Sequence, residues 1–342
     1  KYEDEPFYRD TATIFTIHNL HYQGRFPKDI LTTLNLNEKR FFTPEELEFW
    51  GQVNFMKAGL IYADLINTVS NKYSLEIQTP EFGEGLDGLL RKRSQDLYGI
   101  VNGIDYHKFN PETDENIYKN YSLDTIENKI KNKYHLQEEL GLPRKNVPVI
   151  SLISRLVAQK GLDLVGKIMD DLLKQDVQFI LLGTGEDYYQ QMFSQIKVRY
   201  RDKAAVIIGF DPVLAQKIYA GSDIFLMPSK FEPCGLSQLI SLRYGTIPVV
   251  HATGGLEDTI IDFHTDPEKG NGFSFKNFSV SDFWTALQRA LDLFNNHPDQ
   301  WRRIISNAMT ADFSWDKSAQ KYISLYEKAL EKRRKDLLAK TG

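Results

Sequence analysis

From about residue 143 onward the chain repeats one rhythm: a short apolar run, a polar or glycine-rich turn, then a stretch with apolar residues at helical spacing. The apolar runs are Val147 to Ile153, Val177 to Leu182, Ala205 to Ile208, Ile224 to Met227 and Ile247 to Val250. Strands alternating with helices predict right-handed βαβ units and a parallel sheet covered on both faces, a doubly wound α/β domain. Upstream the pattern is thinner. Thr13 to Ile17, Asp64 to Ser70 and Leu97 to Val101 read as buried parallel strands, and three are few for a complete parallel sheet. The first lies so near the start that the N-terminal domain is expected to be incomplete. Between the first two, Thr43 as N-cap, Pro44 at the first helical position and Glu46 closing a capping box predict a helix.

Residues 118–140 are rich in Lys, Glu and Asn and end at Gly141-Leu142-Pro143, which predicts a helical linker stopped by Gly and Pro. The expected division is therefore a partial N-terminal domain with its linker over 1–142 and a nucleotide-binding domain over 143–310. A C-terminal helix over 311–342 is expected to cross back to the N-terminal domain. Ala319, Tyr322, Ile323, Tyr326, Ala329 and Leu330 follow the spacing of one helical face, and the Lys-Arg run at 332–335 reads as its solvated side.

Composition narrows the function classes. With 42 basic and 46 acidic residues the formal charge is -4, so no bulk field attracts nucleic acid or an anionic membrane. Any anion must be held by a local site. The one cysteine, Cys234, excludes an internal disulfide framework, and no leader pattern opens the chain, both of which suit the cytoplasm. No apolar run approaches the ~20 residues of a membrane span.

Each strand of the second domain is followed by a distinctive turn. These are Ser154-Arg155 through Lys160-Gly161, Gly183-Thr184-Gly185-Glu186, Gly209-Phe210-Asp211, Phe231-Glu232-Pro233-Cys234-Gly235 and Thr253-Gly254-Gly255. In an open α/β sheet the ligand lies outside the carboxyl ends of the strands, so all five turns share one edge. Arg155 and Lys160 present a guanidinium fork and a point charge suited to a diphosphate. The glycines at 235, 254 and 255 open helices with little bulk, where backbone N–H groups can approach an anion. No Asp-x-Asp pair or cluster of acids and histidines stands beside these turns, so cations and helix ends are expected to do the work of a metal. Glu232 is placed either to hold a ligand or to cap a helix, and His18 either to touch a ligand or to sit in the core.

At these residues the sequence resembles the bacterial-type glycogen and starch synthases, retaining glucosyltransferases of the GT-B fold. The resemblance is carried by Thr16-Ile17-His18-Asn19-Leu20-His21-Tyr22-Gln23-Gly24, Thr68-Val69-Ser70 with Tyr73, Gly85-Leu86-Asp87-Gly88-Leu89-Leu90 and Gly99-Ile100-Val101-Asn102-Gly103-Ile104-Asp105. Ser154-Arg155-Leu156 with Gln159-Lys160-Gly161, Glu232-Pro233-Cys234-Gly235-Leu236 and Thr253-Gly254-Gly255-Leu256 with Asp258-Thr259 complete the series. It implies two Rossmann-like domains facing a cleft, and glucose passing from ADP-glucose, or UDP-glucose, to an α-1,4-glucan without a metal or other cofactor. Arg155 and Lys160 would neutralise the donor phosphates, Phe210 would lie against the base, and Glu232 would hold the glucose hydroxyls. Cys234, Gly235, Leu236, Thr253, Gly254 and Gly255 would back the sugar and phosphates, and Asn102 and Gly103 would line the cleft. His18 would contact the glucose, with Asn19 and Tyr22 towards the acceptor.

Three departures from the family pattern stand out. His251-Ala252 precedes the Thr-Gly-Gly-Leu turn where an arginine is common, Ile240 stands where the wider GT-B group has a second glutamate, and a Lys-x-Gly-Gly-Leu donor loop is absent. The sequence thus reads as a fragment, expected to bind nucleotide weakly, to transfer glucose poorly and to self-associate through an exposed N-terminal edge. The alternative is a nucleotide- or glucan-binding fragment without turnover. A hydrolase would need a second carboxylate ~5 to 9.5 Å from the first, and a phosphorylase a lysine-bound pyridoxal site. A plastid would replace the cytoplasm in a plant or alga.

Overall fold

A computed structural model describes residues 5–341. Contacts divide the chain into two compact units, one built from residues up to Asn102 with those from Asp316 on, the other from Gly103 to Trp315.

The first unit contains β1 (Ile14–Ile17), β2 (Arg25–Phe26), β3 (Glu48–Phe49), β4 (Gln52–Asn54), β5 (Leu65–Thr68) and β6 (Leu97–Gly99). β1, β5 and β6 form a parallel sheet in that order, at the positions the apolar runs mark. Ile17, Leu60, Ile66, Tyr73 and Leu90 fill its core.

The helix expected from Thr43 does not form. The N–H groups of Glu46 and Glu48 both donate to the Thr43 carbonyl, which makes a turn. The buried Lys57 ammonium donates to the carbonyls of Pro44 (2.5 Å) and Glu48 (2.7 Å) and holds that turn in place. The chain then enters the β3–β4 hairpin, whose two central residues, Trp50 and Gly51, have φ of 50° and 80°. Positive φ at both positions is the type I′ geometry that matches strand twist. The helix comes later, over Phe55–Tyr62, capped by the Asn54 side chain. Tertiary hydrogen bonds thus override a local capping signal.

The C-terminal helix runs from Trp315 to Thr341 and packs Leu325 and Ala329 against Leu65 and Ile100. Its buried face therefore lies to one side of the one read from sequence, and Ile323, Tyr326 and Leu330 are exposed. The basic run is not simply solvated either. Lys332 donates to the Asp64 carbonyl and pairs with Asp96, while the buried Arg333 donates to the Arg9 carbonyl. Long basic side chains can bury their stems while their heads find oxygen, which apolar spacing alone does not reveal.

The second unit holds one six-stranded parallel sheet of β7 (Val149–Leu156), β8 (Gln178–Gly185), β9 (Ala204–Ile208), β10 (Ile224–Met227), β11 (Ile247–His251) and β12 (Phe273–Phe275). The order is β12-β11-β10-β7-β8-β9. Chain order runs outwards from the centre in both directions, so the direction of winding reverses between β7 and β10. In a doubly wound sheet that reversal opens a crevice at the carboxyl ends of the two central strands.

Two strands are longer than their apolar runs. β7 carries Ser154 and Arg155 within it, and β8 carries Gly183 to Gly185, paired with Ser154, Arg155 and Leu156. Gly183 and Gly185 lie so flat on β7 that a Cβ would sit 2.1 Å and 2.4 Å from the carbonyls of Ser154 and Leu156. These glycines extend the sheet and do not turn the chain.

The boundary also moves. Residues 103–142 belong to the second unit, because the helix Lys129–Glu139 sends its side chains into it. The buried Lys129 amine contacts the carbonyls of Tyr219, Ala220 and Tyr244 and the Thr246 hydroxyl, and burial pulls its pKa down to about 7. Lys133 pairs with Asp223 at 2.7 Å. A Lys-rich helix reads as a linker from composition, yet its lysines are structural. The expected stop holds: Gly141 takes a left-handed φ of 70° after the last helical turn. Among the described residues no helix is long and apolar enough to cross a membrane.

Candidate active site

The crevice between β7 and β10 is occupied by a cavity of about 540 Å³ whose lining includes Ser154, Arg155, Lys160, Met227, Ser229 and Ser237. β7 delivers Arg155 near its carboxyl end, exposed. The chain then makes a short 3-10 turn over Ala158–Lys160, and Gly161, with φ of 68°, starts the helix Leu162–Lys174.

Lys160 donates from Nζ to Glu232 Oε2 at 2.5 Å, and the Ser229 hydroxyl donates to the same oxygen at 3.0 Å. Glu232 is only 8% exposed. The α-helix that follows is not capped by it, since the helix Ser237–Arg243 has Leu236 at its N-cap with no side-chain bond. Of the two readings that the sequence left open, the cap is excluded. A carboxylate carried into a nearly buried crevice with a cation and a hydroxyl on one oxygen is a preorganised polar group of the kind that holds a ligand.

The loop after β10 is stapled to the turn after β7. Lys230 N–H donates to the Gln159 carbonyl (2.8 Å), and the Gln159 amide donates to the Phe231 carbonyl (3.0 Å). A Cβ at Gly161 would lie 1.9 Å from the Pro228 carbonyl. Gly161→Ala is accordingly expected to part the two loops, costing about 1–3 kcal/mol for overpacking in addition to the left-handed backbone. Thermal unfolding of the variant measures it, and an unchanged Tm would contradict the contact.

The glycines after β11 pack against the turn that carries Glu232. Gly255 N–H donates to the carbonyls of Glu232 and Pro233, so it has no hydrogen left for an anion. A Cβ at Gly254 would lie 2.0 Å from the Glu232 carbonyl, and one at Gly255 2.0 Å from that of Cys234. The pair is therefore a flat backing for the Glu232-Pro233-Cys234 turn. Thr253 and Cys234 are buried behind it, and Leu236 is exposed. Phe210 stands at the end of β9 and is 88% exposed.

The other expected residues lie elsewhere. His18, Asn19 and Tyr22 belong to the first unit, just past β1. His18 is exposed, which excludes the core-histidine reading, and Tyr22 is exposed as well. The Asn19 side chain accepts from His21 N–H at 3.0 Å, a local turn that shapes this loop. Asn102 ends the first unit's leading segment, and Gly103 begins the second unit, where a Cβ would lie 2.4 Å from the Trp315 backbone nitrogen. The sequence did not single out Ser229, Ser237 or the anchoring role of Gln159. Only the switch point between β7 and β10 brings them together.

A larger cavity, about 1000 Å³, opens at the amino ends of these strands and includes Lys129, Lys133, Asp223, Phe294 and Trp301 in its lining. Its buried amines already have oxygen partners, so the crevice at the carboxyl ends is the better candidate.

The chain is similar to known glycosyltransferases. Residues 1–92 match the family model described as starch synthase catalytic domain, and residues 137–309 match that of glycosyl transferases group 1. The glycogen synthase of Moorella thermoacetica is 63% identical over 334 residues, which are 98% of this chain and 68% of that protein. The glycogen synthase of Desulforudis audaxviator is 54% identical over 331 residues, 97% of this chain and 66% of that one. The chain thus spans about two thirds of the length of these relatives. Among solved structures, the catalytic domain of starch synthase IV from Arabidopsis thaliana bound to ADP and acarbose superposes with a TM-score of 0.90 at 34% identity, over 96% of this chain and 70% of that one.

Proposed function

We propose, for a chain that belongs to the glycogen synthase family of glycosyltransferases, that it transfers glucose from a nucleotide donor, ADP-glucose in preference to UDP-glucose, to the non-reducing end of an α-1,4-glucan with retention of configuration. The observation that carries this reading is the Lys160–Glu232 pair beside Arg155 at the switch point of the sheet. The bond between the sugar's anomeric carbon and the diphosphate oxygen breaks, and negative charge grows on the departing diphosphate as it does so. An acceptor hydroxyl oxygen takes its place on the carbon, and the proton of that hydroxyl passes to the diphosphate. Arg155 and Lys160 are the groups suited to receive the negative charge, Arg155 as a fork and Lys160 as a point charge. Lys160, already held by Glu232, stabilises that charge with little reorganisation, and no metal is invoked for the step.

Glu232 would accept from glucose hydroxyls through the oxygen that Lys160 and Ser229 leave free. Phe210, exposed at the rim, would take the base, while Cys234, Gly235, Leu236, Thr253, Gly254 and Gly255 support the sugar from behind. His18 is assigned to the sugar, Asn19 and Tyr22 to the acceptor, and Asn102 and Gly103 to the donor. The expected setting is the cytoplasm.

Calorimetric titration with ADP and UDP, alongside incorporation of labelled glucose from ADP-glucose into glycogen, tests the proposal. Tighter ADP binding with incorporation is the expected result. Tighter UDP binding would overturn the donor, and nucleotide binding without incorporation would favour a binding module.

A further inference from the structure

His251 ends β11 with its ring buried, 8% exposed, between Phe275 and Phe278 at centroid distances of 5.3 and 5.4 Å. Both ring nitrogens meet carbonyl oxygens. Nδ1 lies 2.8 Å from the Ser229 carbonyl, on the loop after β10, and Nε2 lies 3.2 Å from the Lys276 carbonyl, just past β12. A carbonyl can only accept. A neutral imidazole carries one N–H, and the shorter contact, that of Nδ1, places it on the Ser229 carbonyl. Ser229 is the residue whose hydroxyl donates to Glu232 Oε2, and its own burial is nearly complete.

We propose that His251 is a positioning residue for Glu232, acting through Ser229. The ring fixes the Ser229 carbonyl against the frame supplied by β12, and Ser229 in turn fixes the carboxylate that Lys160 pairs with. The Nδ1 contact with the Ser229 carbonyl is the working one, and the Nε2 side of the ring, against the Lys276 carbonyl, anchors the ring that makes it. The inference rests on the proposed role of Glu232 in transfer.

The charged side chains carried by the elements packed around the ring are few in number. The loop after β10 carries Lys230 and Glu232, and the turn after β7 carries Lys160. Lys276 follows β12, Glu257 and Asp258 lie on the helix Gly254–Thr259, and Asp282, Arg289 and Asp292 lie on the helix Val280–Asn296. Glu232 is paired with Lys160 and Arg289 with Asp262. The two carbonyls are thus the direct partners of the ring nitrogens.

Two amide substitutions separate the two contacts. The Asn amide nitrogen occupies the place of Nδ1 and the Gln nitrogen that of Nε2, so His251→Asn keeps a donor for Ser229 and His251→Gln keeps one for Lys276. A displacement near 1 Å at a reacting group costs up to about 100-fold. His251→Gln is expected to lower kcat by about 10- to 100-fold, while His251→Asn retains most of it and donor KM changes little in either. In a cycle with Glu232→Gln, the His251→Gln loss should vanish, since nothing is left to position. Equal loss in the two amide variants, or additive losses in the cycle, would overturn the inference. If Glu232→Gln alone leaves kcat intact, the proposed function fails first. If it lowers kcat and His251→Gln does not, the failure is that of the His251 inference.

Discussion

Replacing Lys160 by alanine is expected to lower kcat by about 100- to 1000-fold, the usual consequence of removing one preorganised group that meets charge developing in a transition state. From the sequence alone a lysine in a βα turn should matter little to folding. The structure changes that expectation, because Lys160 lies 2.5 Å from Glu232 with side-chain exposures of 17% and 10%. Removing one partner of such a pair strands the other, and the cost for buried pairs is about 3–5 kcal/mol. A lower Tm will therefore accompany the lost turnover, and the two effects must be separated. Lys160→Met combined with Glu232→Gln removes both charges together. A neutral pair strands no ion, so the double variant should recover much of the lost Tm while turnover stays low. Recovery of turnover along with Tm would show that Lys160 acts on stability alone.

Glu232→Gln keeps the shape of the side chain and removes its charge. Lys160 then lies beside a neutral amide, and the Ser229 hydroxyl can bond either the amide oxygen or the amide nitrogen. Orientation of the group becomes ambiguous as well as uncharged. If the carboxylate is held for the reacting sugar, the loss falls on kcat, by about 100-fold or more, with ADP affinity nearly unchanged, because the nucleotide contacts lie on other groups. Steady-state kinetics in ADP-glucose and calorimetry with ADP measure the two sides. A variant that weakens ADP binding and keeps kcat would move Glu232 from the sugar to the nucleotide.

Much of the fold is legible in the chain because it follows from local pattern. Short apolar runs such as Ile224 to Met227 become central strands, since a strand covered on both faces has no polar side to show. Gly141 stops a helix because a left-handed residue there closes its last turn. The family, too, is carried by ordered motifs that survive without any knowledge of packing. β12 escaped because Phe273–Phe275 is too short for periodicity to register. The helix expected at Thr43 failed for the opposite reason, a sound local signal overruled by the distant Lys57 amine.

The site was legible only as a set of candidates. Sequence placed Arg155, Lys160 and Glu232 on one edge of a sheet among five turns, and could not rank them. Strand order ranks them, since the winding reverses between β7 and β10 and only those two strands splay to leave a crevice. Tertiary structure also decided what each group does with its partners. Gly254 and Gly255 also back the turn that carries Glu232, because 2.0 Å of clearance to a carbonyl admits no side chain. His251 looked like a departure from a motif and proved to bridge two loops. Periodicity reports which face of an element is apolar, a property of neighbours along the chain. Hydrogen bonds between residues 72 positions apart, as in Lys160 and Glu232, depend on how strands are ordered in the sheet, and that order is fixed only when the whole unit packs.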